Sequence, residues 1–256
     1  MGYSMLVDVT KCIGCEGCRV SCKNWNGRPG SRGSGEVLDS STYSVVKTSE
    51  TADIKAGVPG MHFAKVQCMH CLEPACASAC ACGALKKTAA GPVEHYPDRC
   101  IGCRYCMLAC PFGVPAFEWA TAFPHIRKCS FCTDRIKKGV EPACSKSCAS
   151  GALLFGRRDE LLKTAEDRIK ARPGRYIDAV YGKDEAGGTS WLYISDTGFG
   201  NLSLREDLDK AKYSDYSMSV LSKTPAVGLG AAALLAGFFF ITGRRNGAGR
   251  DGGAEK

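Results

Sequence analysis

The chain has 256 residues, the length of one large domain or two small ones. With 45% hydrophobic and 23% charged residues it falls outside the disordered class. Its outlier is cysteine, 17 residues against 4 histidines, and its formal charge is 34 − 26 = +8. Such an excess points to an acidic partner unless a bound group supplies negative charge.

In chain order, the N-terminus MGYSMLVDVTK shows no apolar signal core and no twin arginine. MLVDV (5–9) reads as a short strand and leads to Cys12, Cys15, Cys18 and Cys22, spaced C-x2-C-x2-C-x3-C. Residues 27–42, rich in Gly and Ser, read as a loop before a strand at Tyr43–Lys47. FAKVQ (63–67) precedes Cys68, Cys71, Cys76 and Cys80, spaced C-x2-C-x4-C-x3-C. PVEHY (92–96) precedes Cys100, Cys103, Cys106 and Cys110, which repeat the first spacing and are followed by Pro111. HIRK (125–128) precedes Cys129, Cys132, Cys144 and Cys148, spaced C-x2-C-x11-C-x3-C. Gly83-Ala84-Leu85 and Gly151–Phe155 are short apolar stretches after runs two and four. Residues 158–171 place Leu161, Leu162, Ala165 and Ile169 on one helix face, with Asp159 as N-cap and Pro173-Gly174 beyond the end. Trp191–Ile194 reads as a strand after Gly187-Gly188. Pro225–Thr242 carries no charge and is bracketed by Lys223 and Arg244-Arg245, after which comes a basic Gly-rich tail.

Disulfides, zinc and iron–sulfur clusters compete for these cysteines. Disulfide frameworks suit short secreted chains, and Cys-x-x-Cys runs converge on a point instead of stapling distant segments. Zinc sites use two pairs per ion, often with histidine. Runs of four in the bacterial ferredoxin spacing fit [4Fe–4S] ligation, and four such runs predict four clusters. Sixteen cysteines are then ligands, and Cys82 is left over as a small buried hydrophobe. Three cysteines of a run hold one cubane, while the fourth starts a short helix and ligates the neighbouring cluster. Two pairings satisfy this. Runs two and three form one unit and runs one and four the other, or run one pairs with two and three with four. Each oxidised cluster with its thiolates carries about −2, so four offset the +8 of the chain. Nothing in the charge then argues for nucleic acid.

The expected fold is α+β: two ferredoxin-like units, each with two [4Fe–4S] clusters, built from four cysteine motifs, plus one C-terminal transmembrane helix. The expected organisation is a four-cluster domain at 1–155, a helix and extended segment at 156–222, a transmembrane helix at 223–243 and a basic tail at 244–256. The apolar stretch is at the short end for a span. Its position before a Gly-rich tail, which gives a core helix nothing to pack into, favours the membrane over a buried core. Two arginines after it and one lysine before place the C-terminus in the cytoplasm and the cluster domain outside. Such a domain, lacking its own signal, requires export with a partner.

Together the sixteen cysteines and the span resemble the iron–sulfur (beta) subunits of membrane-bound molybdenum or tungsten oxidoreductases, nearest to those of respiratory formate dehydrogenases. The matching stretches are KCIGCEGCRVSCKNWN (11–26), QCMHCLEPAC (67–76), CIGCRYCMLACPFGVP (100–115), KCSFCTDRIKKGVEPACSKSC (128–148) and VYGKDEAGGTSWLYISD (180–196). The resemblance implies the nested pairing. Cys68, Cys71, Cys76 and Cys110 share one cluster, and Cys100, Cys103, Cys106 and Cys80 another. Cys12, Cys15 and Cys18 join Cys148, and Cys129, Cys132 and Cys144 join Cys22. It further implies electron flow from a metal–pterin catalytic subunit that oxidises formate, through the clusters, to a membrane haem b and quinone subunit in a prokaryotic cytoplasmic membrane. One departure is the proline usual after the fourth ligand, kept at Pro111 and replaced by Lys23, Ala81 and Ala149.

A quinone-linked nickel–iron hydrogenase subunit is the first rival, with CRYCM (103–107) and ALKK (84–87) similar to it. The short C-x11-C spacing of run four favours formate dehydrogenase. Sulfur-compound, nitrite or dimethyl sulfoxide reductase subunits usually lack a span, and the span also opposes a free polyferredoxin. No nucleophile–base constellation is visible. His62, His70, His95 and His125 are scattered and read as structural, so no catalytic residue is expected in this chain.

Overall fold

The computed structural model describes residues 2–28, 37–51 and 60–248. Half of the loop expected at 27–42, residues 29–36, lies outside the described residues. The chain divides into two compact units, Met1–Ser214 and Asp215–Lys256.

In chain order the first unit contains β1 (Tyr3–Asp8), α1 (Gly17–Trp25), β2 (Ser44–Thr51), β3 (Gly60–Gln67), α2 (Ala75–Ser78), β4 (Leu85–Lys87), β5 (Val93–His95), α3 (Tyr105–Ala109), β6 (Ala116–Phe117), β7 (Ile126–Arg127), α4 (Thr133–Ile136), α5 (Ala143–Lys146), β8 (Leu153–Arg157), α6 (Arg158–Ala171) and β9 (Trp191–Ile194). Each cysteine run thus follows a strand, as its flanking sequence predicts. β1 is the middle of a three-stranded sheet, antiparallel to β8 (Met5 opposite Phe155) and parallel to β9 (Leu6 opposite Leu192). The remaining strands pair two by two: β2 with β3, β4 with β5 and β6 with β7.

The central sheet is a wall with two dry faces, so β1 is buried from Ser4 to Asp8 without alternation. On one face Leu6, Leu192 and Ile194 pack against Leu161 and Ala165 of α6 and against Tyr176. On the other, Met5, Val7, Trp191 and Tyr193 pack against Phe131 and Cys144. The wall therefore separates a plain packing helix from the cysteine-bearing loops. Asp8, fully buried at the end of β1, is held by Arg168 of α6 at 2.8 Å, by the Thr10 hydroxyl at 2.7 Å and by the Tyr176 hydroxyl at 3.2 Å.

Two local expectations change. The N-cap of α6 is Arg157, which makes no side-chain capping bond, and Asp159 sits inside the first turn, where its charge complements the helix dipole instead. Arg158 has been recruited elsewhere: its guanidinium donates to the carbonyls of Thr189 (2.9 Å), Lys183 (3.0 Å) and Gly182 (3.2 Å). The second change concerns the short helices. The third cysteine of a run lies in the helix. The fourth lies inside α1 in run one, as Cys22, and elsewhere closes or follows the helix, as Cys80 follows α2 and Cys110 closes α3. Four residues of helix advance about 6 Å along the axis, so each helix spans from one cysteine cavity to the next.

The second unit holds most of α7 (Tyr213–Leu221) and all of α8 (Thr224–Ala248). With 25 residues α8 is about 37 Å long, more than a hydrocarbon core of about 30 Å. None of its apolar window is buried, and Leu229, Leu234, Phe238, Phe239 and Ile241 are all exposed. That is the reverse of a core helix, which hides its apolar side chains within the protein. The helix runs past Thr242 to Ala248, so the start of the expected tail is helical, and residues 249–256 lie outside the described residues.

Gly182, in the YGKDEAGGT stretch, shows why that segment is so particular. Its φ is +87°, and a Cβ there would sit 2.1 Å from the carbonyl oxygen of Trp191. Gly182→Ala is expected to destabilise the first unit by about 3 kcal/mol through strain and clash, read as a lowered urea midpoint. A loss under about 1 kcal/mol would show that the 181–193 pairing is not needed.

Candidate metal centre

The structure gathers the sixteen cysteines into four quartets, each drawn from two runs. Site I brings Cys12, Cys15 and Cys18 of run one to Cys148 of run four, around one cavity. Site II brings Cys22 of run one to Cys129, Cys132 and Cys144 of run four, around another. Site III groups Cys68, Cys71 and Cys76 with Cys110: burial, and then Cys68 and Cys110, raise the Cys71 and Cys76 thiols. Site IV groups Cys80 of run two with Cys100, Cys103 and Cys106 of run three, around a third cavity. Neighbouring sites touch in order: Cys144 of site II feels Cys18 of site I, Cys129 feels Cys68 of site III, and Cys76 feels Cys106 of site IV.

The loops achieve this with one repeated backbone twist. The second residue after each first cysteine is left-handed: Gly14 (φ 68°), His70 (47°), Gly102 (69°) and Phe131 (58°). At Gly14 the ring of Phe63 would lie 2.5 Å from a Cβ, so space as well as conformation excludes a side chain there. In run four the turn brings the Phe131 N–H to Cys129 Sγ at 3.3 Å. After the fourth cysteines of runs two and one, Ala84 N–H donates to Cys80 Sγ at 3.2 Å and the Asn26 side-chain amide to Cys22 Sγ at 3.6 Å. The proline departure at Lys23 also has a local meaning, since α1 runs through Lys23 to Trp25 and a proline would interrupt it.

The donor set fits a polynuclear cation. Burial, then neighbouring thiolates, pushes Cys76 up to about 12 and Cys106 to about 11. Burial pushes Cys144 up to about 11 despite the nearby positive charge of Lys65. Four thiolates in one such cavity repel one another unless cations lie between them. Among the described residues, no three Cys, His, Asp or Glu side chains converge closely enough for a single metal ion. A zinc ion with Zn–S bonds of about 2.3 Å would draw its sulfurs to about 3.8 Å of one another. Quartets ringing a void match a cubane instead.

A family profile described as a 4Fe-4S dicluster domain matches residues 60–158. Hydrogenase-2 operon protein HybA of Escherichia coli O157:H7 is 34% identical over a 280-residue alignment, covering 94% of this chain and 84% of that protein. The formate dehydrogenase iron–sulfur subunit of Haemophilus influenzae is 34% identical over 252 residues, covering 93% and 79%. A protein of Nitratidesulfovibrio vulgaris is 42% identical over 253 residues, covering 95% and 67%. This chain belongs to the iron–sulfur subunit family of formate dehydrogenases and hydrogenases.

An iron–sulfur electron-transfer subunit needs positive charge near its centres, and here sequence reasoning missed the residues that supply it. Lys65, Lys87 and Lys128 are buried or nearly so among the cysteine loops. Lys87 donates to the carbonyls of Cys71 (2.8 Å) and His70 (3.0 Å), and burial lowers its pKa to about 8 against the pull of the Cys71 and Cys68 thiolates. Lys128 donates to the carbonyls of Val93 and, at 3.2 Å, Cys129. The available signal was position: Lys128 directly precedes Cys129, and Lys65 lies in the strand that runs into Cys68. Two of the histidines make polar contacts within the fold. His70 is fully buried and accepts the Val93 N–H at Nδ1 (2.9 Å), with burial holding its pKa well below the ordinary value, and His62 lies 3.3 Å from Asp196. Cys82 differs from expectation: it is half-buried and lines the site IV cavity.

Purified protein should contain iron and inorganic sulfide in about equal amounts, with broad visible absorbance that dithionite bleaches. Stoichiometric zinc without that absorbance would contradict the donor-set argument.

Proposed function

We propose that the four quartets are the ligand sets of four [4Fe–4S] clusters, arranged as two ferredoxin-like pairs, sites I with II and sites III with IV. What supports this reading is the grouping of one cysteine from a partner run with three from another around each cavity. When bound, each cluster supplies a one-electron site. The chain's own residues do the rest. Cysteine loops fix the spacing of successive sites, N–H groups and buried lysines stabilise negative charge at sulfur, and the apolar faces of β1 and β9 exclude water.

The electron path in this reading starts at a molybdenum- or tungsten-pterin catalytic subunit that oxidises formate. It ends at a membrane haem b or quinone-reactive subunit beside α8. The short C-x11-C spacing of run four is what favours formate over hydrogen as the donor, since the formate dehydrogenase relative and HybA are each 34% identical and cover 93% and 94% of this chain. A quinone-linked hydrogenase subunit is the second reading, favoured by HybA's wide coverage, and copurification of the catalytic subunit separates the two. By the charges flanking the apolar stretch, the C-terminus faces the cytoplasm and the cluster domain the outer side.

Four clusters predict about sixteen irons per chain. Deleting residues 225–256 tests the anchor. All proposed ligands lie between Cys12 and Cys148, so the iron content should hold. Donor oxidation with a soluble dye should survive, and quinone reduction should fall at least about tenfold, about 1.4 kcal/mol in coupling. Parallel loss of both activities together with iron would assign α8 to the folding of the cluster unit and overturn the anchor.

A further inference from the structure

Lys65 lines both the site I and the site II cavities. It is 2% exposed. Its Nζ donates to Gln67 Oε1 at 2.9 Å and lies 4.8 Å from the centroid of the Trp191 ring. A relay of buried groups holds that arrangement. Gln67 Nε2 donates to the Tyr193 hydroxyl at 2.7 Å, and that hydroxyl donates to the Lys65 carbonyl at 2.8 Å. Trp191 and Tyr193 come from β9, which is fixed by its parallel pairing with β1. Among the described residues no carboxylate forms an ion pair with Lys65. A buried ammonium without a carboxylate is costly, and such a charge persists where other negative charge surrounds it. Here the surrounding groups are Cys18 of site I and Cys22, Cys129 and Cys144 of site II.

We propose that Lys65 is a fixed positive charge shared by sites I and II, which raises the reduction potentials of the groups bound at both. It is a positioning residue for electrons and rests on the four-cluster reading. Reduction adds one negative charge at a site. An ammonium in a water-poor wall a few ångströms away favours that charge, and its effect is little screened by salt. One charge between two sites shifts them together, whereas a hydrogen bond to a single sulfur would shift one.

The test is an EPR-monitored potentiometric titration of the full chain in its complex, comparing wild type with Lys65→Met, Lys65→Arg and Gln67→Glu. Signals are assigned to sites I and II by their loss in Cys15→Ser and Cys132→Ser. At the wild-type midpoint potential, the reduced-to-oxidised ratio at both sites should fall about tenfold in Lys65→Met, equal to 59 mV for one electron. Lys65→Arg should stay near wild type. Gln67→Glu, which keeps Lys65 and sets a carboxylate beside it, should shift both sites in the same direction as Lys65→Met. Signals of sites III and IV should move less. Unmoved midpoints at sites I and II with all signals present would overturn the proposal, as would equal shifts in the Arg and Met variants, which would mean packing. If Lys65→Met loses its clusters, Gln67→Glu decides: a matching shift supports the proposal and no shift overturns it. Failure of the four-cluster reading is distinct, since signals would then be missing in the wild type.

Discussion

Four cysteine thiolates crowded into one buried cavity repel one another, and the rest of the cluster unit is arranged around that repulsion. Burial raises the thiols of Cys71, Cys76, Cys106, Cys132 and Cys144, with neighbouring sulfurs adding to the effect. Each cavity is therefore a poor place for charge until cations sit within it. Once they do, the same four sulfurs become a cross-link. Site I ties the loop after β1 to the segment before β8, and site IV ties the turn before β4 to the loop after β5. Metal binding and folding are one equilibrium in such an architecture.

This also explains how little conventional core the first unit needs. Its apolar side chains concentrate on the β1–β8–β9 wall, where Trp191, Tyr193 and Met5 are essentially inaccessible. Away from the wall the β4–β5 and β6–β7 pairs are only two or three residues long, too short to be stable alone. They are held by the cysteines on either side. The buried lysines answer the same electrostatic demand from the opposite direction, lending positive charge where the sulfurs are densest.

Much of this was legible in the sequence because its signals are local. Cysteine spacing, the strands before each run, the helix over 158–171 and the apolar C-terminal stretch all depend on neighbours in the chain, and each element lies where its pattern puts it. What was not legible depends on distant partners. Nothing in FAKVQ itself marks Lys65 as buried, since the groups around it, Trp191 of β9 and cysteines of runs one and four, are distant in the sequence. Asp159 looks like an N-cap, but Arg158 beside it is anchored by carbonyls of residues 182–189, and the chain enters α6 through Arg157 instead. Cys82 follows Cys80 by two positions, but the cavity it borders is completed by Cys100, Cys103 and Cys106 of run three, which its own stretch of sequence does not announce.

The central claim is that each quartet draws on two runs, with run one exchanging a cysteine with run four. Cys22 and Cys132 are 110 positions apart in the sequence and meet at site II, whereas Cys22 and Cys15 belong to one run and face different sites. The most direct test is the set of cluster EPR signals in Cys22→Ala, Cys132→Ala, Cys15→Ala and Cys71→Ala. The account predicts that Cys22→Ala and Cys132→Ala remove or alter the same signal, and that Cys15→Ala affects a different one. Loss in Cys22→Ala of the signal that Cys71→Ala removes would contradict it, because run one would then exchange its cysteine with run two.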